Sequence, residues 1–88
     1  MTEILDEKVD VLASFKILEG GRILVRPEII NRGSRRYKVD KLGLRYPTSS
    51  GKRTIHVFAV LCGNTALELE FDSILLIWKL TKISDDDF

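Results

Sequence analysis

Apolar and polar residues alternate along two stretches of the chain, residues 9–17 and residues 65–72. A period of two is typical of a β-strand with one face toward the core. We therefore predict a strand in each stretch. The side chains predicted to face the core are Val9, Val11, Ala13, Phe15 and Ile17 in the first and Leu67, Leu69 and Phe71 in the second, with Glu68, Glu70 and Asp72 facing outward.

Residues 54–62 are apolar at odd and even positions alike and rich in β-branched side chains. This pattern predicts a central strand covered on most sides. Turn signals lie at residues 19–21, 31–34 and 63–64, and residues 47–51 have the composition of a solvated loop. Pro27 interrupts the apolar stretch that follows the first turn. Because proline has no N–H to donate, we expect it at an edge or a bulge.

Between the second turn and the predicted loop, the apolar residues change from odd-numbered to even-numbered positions. They are Tyr37, Val39, Leu42, Leu44 and Tyr46. The first two are odd-numbered and the last three even-numbered, so a regular strand would divide them between two faces. One extra residue near Asp40 and Lys41, a β-bulge, returns both sets to the core and bends the strand, with Gly43 suited to such a bend. We predict that all five face inward.

Two segments near the ends of the chain allow more than one interpretation. Residues 74–83 form either a strand with Leu76, Trp78 and Leu80 inward or a helix capped by Asp72 or Ser73. Isoleucine and tryptophan favour the strand. The first ten residues are a candidate helical turn, and residues 84–88 form an acidic tail that we expect to be flexible.

Six strands joined by short turns predict an all-β fold. We expect a single antiparallel meander that rolls into a small β-barrel or half-barrel, SH3-like or OB-like, because a flat sheet would leave one apolar face in water. The alternative is an α+β domain with a terminal helix packed on the sheet. The 88 residues suffice for one domain, which we place over residues 1–83, with the tail at 84–88.

Composition indicates a folded chain in a reducing compartment. Apolar residues make up 44% of the sequence and charged residues 31%, which is ordinary for a globular protein. The lone cysteine, Cys62, has no internal partner for a disulfide, and a cytoplasmic location follows from this. The apolar runs are too short to cross a bilayer, and the acidic start is unlike a signal peptide. We expect no membrane association.

Charge is distributed unevenly along the chain, although the formal net charge is only +1. Residues 22–53, the basic segment, hold ten Lys and Arg residues against two acids, whereas the remainder holds four basic residues and eleven acids. Such a division creates a positive and a negative side if the fold separates the two sets in space.

Little in the sequence supports catalysis. His56 lies in the most apolar strand without a nucleophile pattern around it, and Cys62 lacks a basic, exposed setting. The acids of residues 68–72 are explained by outward alternation better than by a metal site. We expect no enzymatic activity, no cofactor, no metal and no small-molecule ligand.

The basic segment is the one functional feature. We predict that it binds the nucleic-acid backbone through a strand-and-loop surface, without strong sequence preference. The predicted contact residues are Arg32, Arg35, Arg36, Lys38, Lys41, Arg45, Lys52 and Arg53. Tyr37 and Tyr46 are expected in the core rather than as stacking platforms. Alternatively, the cations protect sheet edges or pair with the acids of residues 68–72, or the domain binds a partner protein or a second copy of itself.

Overall fold

The computed structural model describes residues 2–51 and 53–85, and these residues are almost entirely β-structure. Apart from one short 3₁₀ turn, Glu19–Gly21, the described residues form no helix. The strands are β1 (Thr2–Ile17), β2 (Ile23–Arg32), β3 (Arg35–Lys38), β4 (Lys41–Ser50), β5 (Arg53–Cys62), β6 (Thr65–Asp72) and β7 (Ile77–Asp85). The all-β prediction is confirmed, and the α+β alternative is wrong because the last segment is a strand.

The seven strands form one antiparallel sheet that curls into a half-barrel, in the order β3-β2-β1-β7-β6-β5-β4. β1 is long enough to pair with two neighbours, with β7 along residues 2–9 and with β2 along residues 10–17. The edge strands β3 and β4 are consecutive in sequence. Between them the N–H of Val39 donates to the carbonyl of Glu28, and the N–H of Asp40 donates to that of Leu61. This link divides one predicted strand into two, so the sheet has seven strands rather than six.

The core lies on the concave side of the sheet and is built around β5, β6 and β7. Phe58, Leu69 and Leu80 are almost fully buried. The ring of Trp78 stacks on Phe71 with a centroid separation of 4.6 Å and lies 5.4 Å from Phe58. The predicted central strand is therefore confirmed, since β5 lies between two strands and supplies several of the buried residues.

Among the described residues, register shifts interrupt the sheet at four places, and two of them concern residues for which the sequence predicts a bulge or a bend. Pro27 lies at a register shift in the pairing of β2 with β1, as its missing N–H predicts. A second shift lies at Gly43, which has no partner between the pairs that Leu42 and Leu44 make with β5. A Cβ at Gly43 would lie 3.3 Å from the carbonyl oxygen of Ala59, which is a tight contact. Glycine suits this close approach of two backbones.

The shift at Gly43 overturns part of the predicted core. Tyr37, Val39 and Leu42 do face the core, so the predicted parity change near Asp40 is confirmed. The second change reverses the next residues. Leu44 and Tyr46 lie on the convex face, with exposed fractions of 58% and 43%.

Strand ends also differ from the predictions. β1 begins at Thr2 rather than near residue 9, and residues 47–50 extend β4 instead of forming a loop. Ser84 and Asp85 belong to β7, while residues 86–88 of the predicted tail lie outside the described residues. Phe15 and Ile17 keep the predicted parity but are 61% and 81% exposed.

Asp72 organises the turn between β6 and β7. Its Oδ1 accepts hydrogen bonds from the N–H groups of Ile74 at 2.9 Å and Leu75 at 3.0 Å, and its Oδ2 lies 2.9 Å from Nη1 of Arg53. These backbone bonds, with Arg53 adding to them, lower the pKa of Asp72 below its ordinary value. Asp72 keeps the predicted outward parity, but this turn buries it. The prediction of Leu76 as inward is wrong, since it lies exposed in the same turn.

Leu76 gives the first testable prediction, because its φ of +59° is in the left-handed region that disfavours a branched side chain. Replacing it with glycine relieves this strain, and we expect Leu76→Gly to raise the free energy of unfolding by about 1 kcal/mol. Urea unfolding followed by circular dichroism measures the change. The matched control is Ile74→Gly in the same turn, which gains nothing from glycine; equal effects of both variants would contradict the prediction.

Candidate nucleic-acid interface

Three basic side chains and one tyrosine point away from the core along the consecutive edge strands. Arg36 and Lys38 in β3 alternate with Tyr37, which faces the core. Lys41 in β4 lies opposite Leu61 on the convex face, and after Gly43 the convex face continues with Leu44 and Tyr46. All these convex-face side chains are exposed. We call Arg36, Lys38, Lys41 and Tyr46 the outer row.

The cations of the outer row are not neutralised by the described residues. Within residues 2–51 and 53–85, neither Arg36 nor Lys38 nor Lys41 forms an ion pair. The nearest acid in sequence, Asp40, accepts a hydrogen bond from the N–H of Gly63. Their positive charges are therefore directed to solvent.

Two other predicted contact residues lie on the concave side. Nε and Nη2 of Arg32 donate to the two carboxylate oxygens of Glu7 at 2.9 and 3.3 Å, and this pairing raises the pKa of the guanidinium. Nη1 of Arg35 donates to the hydroxyl of Tyr37 at 3.3 Å. By register, Arg32 lies opposite Arg35 on the same side of the sheet as Tyr37. The structure therefore brings Arg32 and Arg35 together, apart from the outer row.

The remaining predicted residues are dispersed. Arg45 is exposed, but it lies opposite Phe58 and so points to the other side of β4 from Tyr46. Arg53 lies at the start of β5 in its ion pair with Asp72. Lys52 lies outside the described residues. The single stripe of eight cations predicted from the sequence is thus resolved into the outer row and several separate positions.

The acids of β6 lie next to cations of β7 and next to one cation of the basic segment. Nζ of Lys82 lies 3.8 Å from Oε2 of Glu68, which also accepts the hydroxyl of Thr81 at 2.9 Å. Glu70 lies opposite Lys79, whose Nζ is 3.2 Å from Oδ1 of Asp6. Among the described members of the basic segment, only Arg53 is paired with this row of acids. Pairing with β6 therefore does not account for the outer row.

Other reactive groups have structural surroundings. Burial, with a smaller contribution from Asp40, raises the pKa of the Cys62 thiol to about 11, so it stays protonated at neutral pH. The ring of His56 is half-buried with its centroid 6.4 Å from that of Phe71. Among the described residues no cluster of three His, Cys, Asp or Glu side chains could hold a metal ion. No helix in this part of the chain has the length and apolar character needed to cross a bilayer.

A cleft of about 470 Å³ lies on the convex face at the end of the molecule where β6 turns into β7. It is lined by charges of both signs and by apolar side chains: Lys8, Thr48, Arg53, Ile55, Glu70, Asp72, Leu75, Ile77 and Lys79. Several of these charged groups are satisfied by one another or by Asp6. This mixed lining does not favour an anion over a cation.

Tyr46 is the candidate residue that the sequence interpretation placed wrongly. Its parity agrees with Leu42, and only the register shift at Gly43 moves it to the convex face. The available signal was Gly43 itself, because a glycine inside a strand often marks a bulge.

No protein-family model, curated protein or solved structure matches this chain.

Proposed function

We propose that this protein is a small binding domain that holds the nucleic-acid backbone along the outer row, with a preference for single strands and little dependence on sequence. The observation that carries the proposal is that three exposed cations, which form no ion pair with a described residue, share the convex face of the consecutive strands β3 and β4 with an exposed tyrosine. In this proposal the domain is a cytoplasmic, non-enzymatic protein that needs no cofactor.

Each part of the outer row has a distinct role in this proposal. Arg36, Lys38 and Lys41 contact phosphates and displace condensed counterions, which provides affinity without reading bases. Tyr46 stacks on an exposed base, which a duplex keeps inside its helix. Leu44 lies beside Tyr46 on the convex face and adds apolar contact with the sugar and base.

Protection of sheet edges accounts for this surface less well. Lysine and arginine on an edge strand prevent pairing with other chains, and β3 and β4 are both edges. However, edge protection disfavours exposed apolar side chains, and β4 exposes both Leu44 and Tyr46. A ligand that needs cations and an aromatic surface accounts for both features.

Tyr46 provides the test of strand preference. We expect Tyr46→Ala to weaken binding of a labelled single-stranded oligonucleotide by about 1–3 kcal/mol, because a stacking contact is lost, and to change duplex binding little. Fluorescence anisotropy titrations at low salt measure both affinities. Leu61→Ala is the control, since Leu61 is equally exposed, at 43%, on the neighbouring strand. Equal losses for single and double strands would contradict a stacking role.

A second candidate function, binding of a protein or of a second copy, is favoured by a different observation. The β1–β2 hairpin exposes several large apolar side chains, which are uncommon in clusters on a monomeric protein. They are Leu12, Phe15, Ile17, Leu18 and Ile23. These residues are separate from the outer row, so both functions are compatible in one molecule.

A further inference from the structure

One side of β1 has an unpaired stretch of backbone. β1 pairs with β7 only as far as Val9, which lies opposite Trp78, while residues 10–17 pair with β2 on their other side. Toward β7, no strand among the described residues pairs with residues 10–17. These residues therefore present an edge with free hydrogen-bonding groups, which is a template for pairing with another strand.

Exposed apolar side chains surround this open edge. Phe15 and Ile17 are 61% and 81% exposed, although they share the parity of the core-facing residues of β1. By register, the turn from β6 to β7 lies just beyond Trp78, next to the open edge. That turn exposes Ile74 and Leu76.

The backbone of the turn between β6 and β7 also indicates that this region makes a contact with another molecule. At Leu76 the positive φ favours glycine, yet the position holds a leucine that is 74% exposed. The leucine thus adds backbone strain without adding to the core. A residue held in an unfavourable conformation and open to solvent is consistent with a contact that this molecule makes with another.

The charges of residues 10–16 are complementary to themselves when the segment is reversed. Asp10 is at one end and Lys16 at the other, and both are exposed on the same parity. Two such strands can pair antiparallel about a two-fold axis that passes beside Ala13. Asp10 then lies opposite Lys16 of the second copy, twice per dimer, and Phe15 lies opposite Val11 of the second copy.

Other two-fold registers are less favourable. An axis beside Leu12 would place Lys16 opposite Lys8 of the second copy, which is a pair of like charges. An axis beside Ser14 would place Lys16 opposite Leu12, which leaves the charge unmatched. Registers offset by one residue would place core-facing side chains opposite outward ones. Charge and alternation together select the axis beside Ala13.

We propose that two copies of this chain form a symmetric dimer by antiparallel pairing of residues 10–16 of β1, with Asp10 opposite Lys16. The pairing joins the two curled sheets and covers Phe15. It also brings Ile17 of the second copy to the turn that exposes Ile74 and Leu76. The proposal is independent of nucleic-acid binding, because the outer row lies on β3 and β4.

Charge reversal tests the pairing directly. Sedimentation velocity over a range of concentrations gives the dimer dissociation constant of the wild type and of Asp10→Lys, Lys16→Asp and the double variant. Each single reversal places like charges opposite each other at two positions, so we expect it to weaken the dimer by about tenfold or more. The double reversal restores opposite charges and should restore the dimer. Arg45→Asp, an exposed position on β4 outside both the interface and the outer row, is the matched control.

Mixing the two single variants provides the sharpest outcome. The Asp10→Lys chain carries lysine at both positions, and the Lys16→Asp chain carries aspartate at both. In the proposed register, each of the two pairs in the mixed dimer therefore joins a lysine with an aspartate. We therefore expect the equimolar mixture to associate more tightly than either single variant alone, with a dissociation constant near that of the wild type and of the double reversal. Thermal unfolding of each variant confirms that the fold is retained.

Two results would overturn the proposal. One is a wild type that stays monomeric at millimolar concentration. This result would overturn the proposal even if the edge of β1 were found to pair with a different protein. The other is a dimer that Arg45→Asp weakens as much as the single reversals do, because the loss would then follow net charge rather than the pairing of Asp10 with Lys16.

Discussion

Replacing Phe58 with alanine should lower the free energy of unfolding by about 3–5 kcal/mol, the largest change in stability that we expect from one substitution. Phe58 is 1% exposed and its ring lies 5.4 Å from that of Trp78, between the strands that form most of the core. The substitution removes most of a buried ring and leaves a cavity. A domain of 88 residues has a stability of only about 5–15 kcal/mol, so much of it is lost.

Chemical denaturation monitored by tryptophan fluorescence measures this effect, because Trp78 is the only tryptophan in the chain. The control is Leu61→Ala, three residues along the same strand and on its opposite face, for which we expect a loss below about 1 kcal/mol. If the two variants were equally stable, the assignment of the concave side as the core would be wrong.

Removing the charges of the outer row should weaken binding to single and double strands alike. In the variant Arg36→Gln, Lys38→Gln, Lys41→Gln, three phosphate contacts are lost, and we expect the affinity for a single-stranded oligonucleotide at low salt to fall by at least about tenfold. Anisotropy titration with one labelled oligonucleotide measures the change. Stability should be nearly unaffected, since these side chains are exposed and make no ion pair with described residues.

A second triple variant controls for net charge. Arg53, Lys79 and Lys82 are each paired with an acid, namely Asp72, Asp6 and Glu68. Changing these three cations to glutamine lowers the formal charge by the same three units without touching the outer row. We expect the paired-cation variant to bind more tightly than the outer-row variant. Equal losses would mean that overall charge, and not the outer row, sets the affinity.

The strands could be predicted wherever one rule applied along the whole segment. Alternation placed Leu67 and Leu69 in the core, and the missing N–H of Pro27 placed it at a bulge. The sequence interpretation was wrong at Tyr46, because two parity changes occur within a few residues and the apolar pattern shows only one of them. The second change follows from how closely the backbone at Gly43 approaches Ala59, which is a tertiary contact.

Burial could not be predicted from parity alone. Phe15 has the same parity as Val9, but β1 runs past the start of β7, so no described strand lies beside it on that side and Phe15 is 61% exposed. Asp72 is the last member of an outward row, yet the N–H groups of the turn after it hold its carboxylate in place and bury it. Both outcomes depend on where neighbouring strands begin and end, which a local pattern does not specify. The ion pairs of the basic residues could not be predicted for the same reason, because they depend on which strands are neighbours in the sheet.

The slope of the logarithm of the binding constant against the logarithm of the salt concentration tests the central proposal most directly. Each phosphate contact on a single strand contributes about −0.7 to this slope. For the wild type with a single-stranded oligonucleotide we predict a steep negative slope, and for the outer-row variant a slope shallower by about 2, because three contacts are missing. A wild-type slope near zero, or an outer-row variant with the wild-type slope, would contradict binding of the nucleic-acid backbone by Arg36, Lys38 and Lys41.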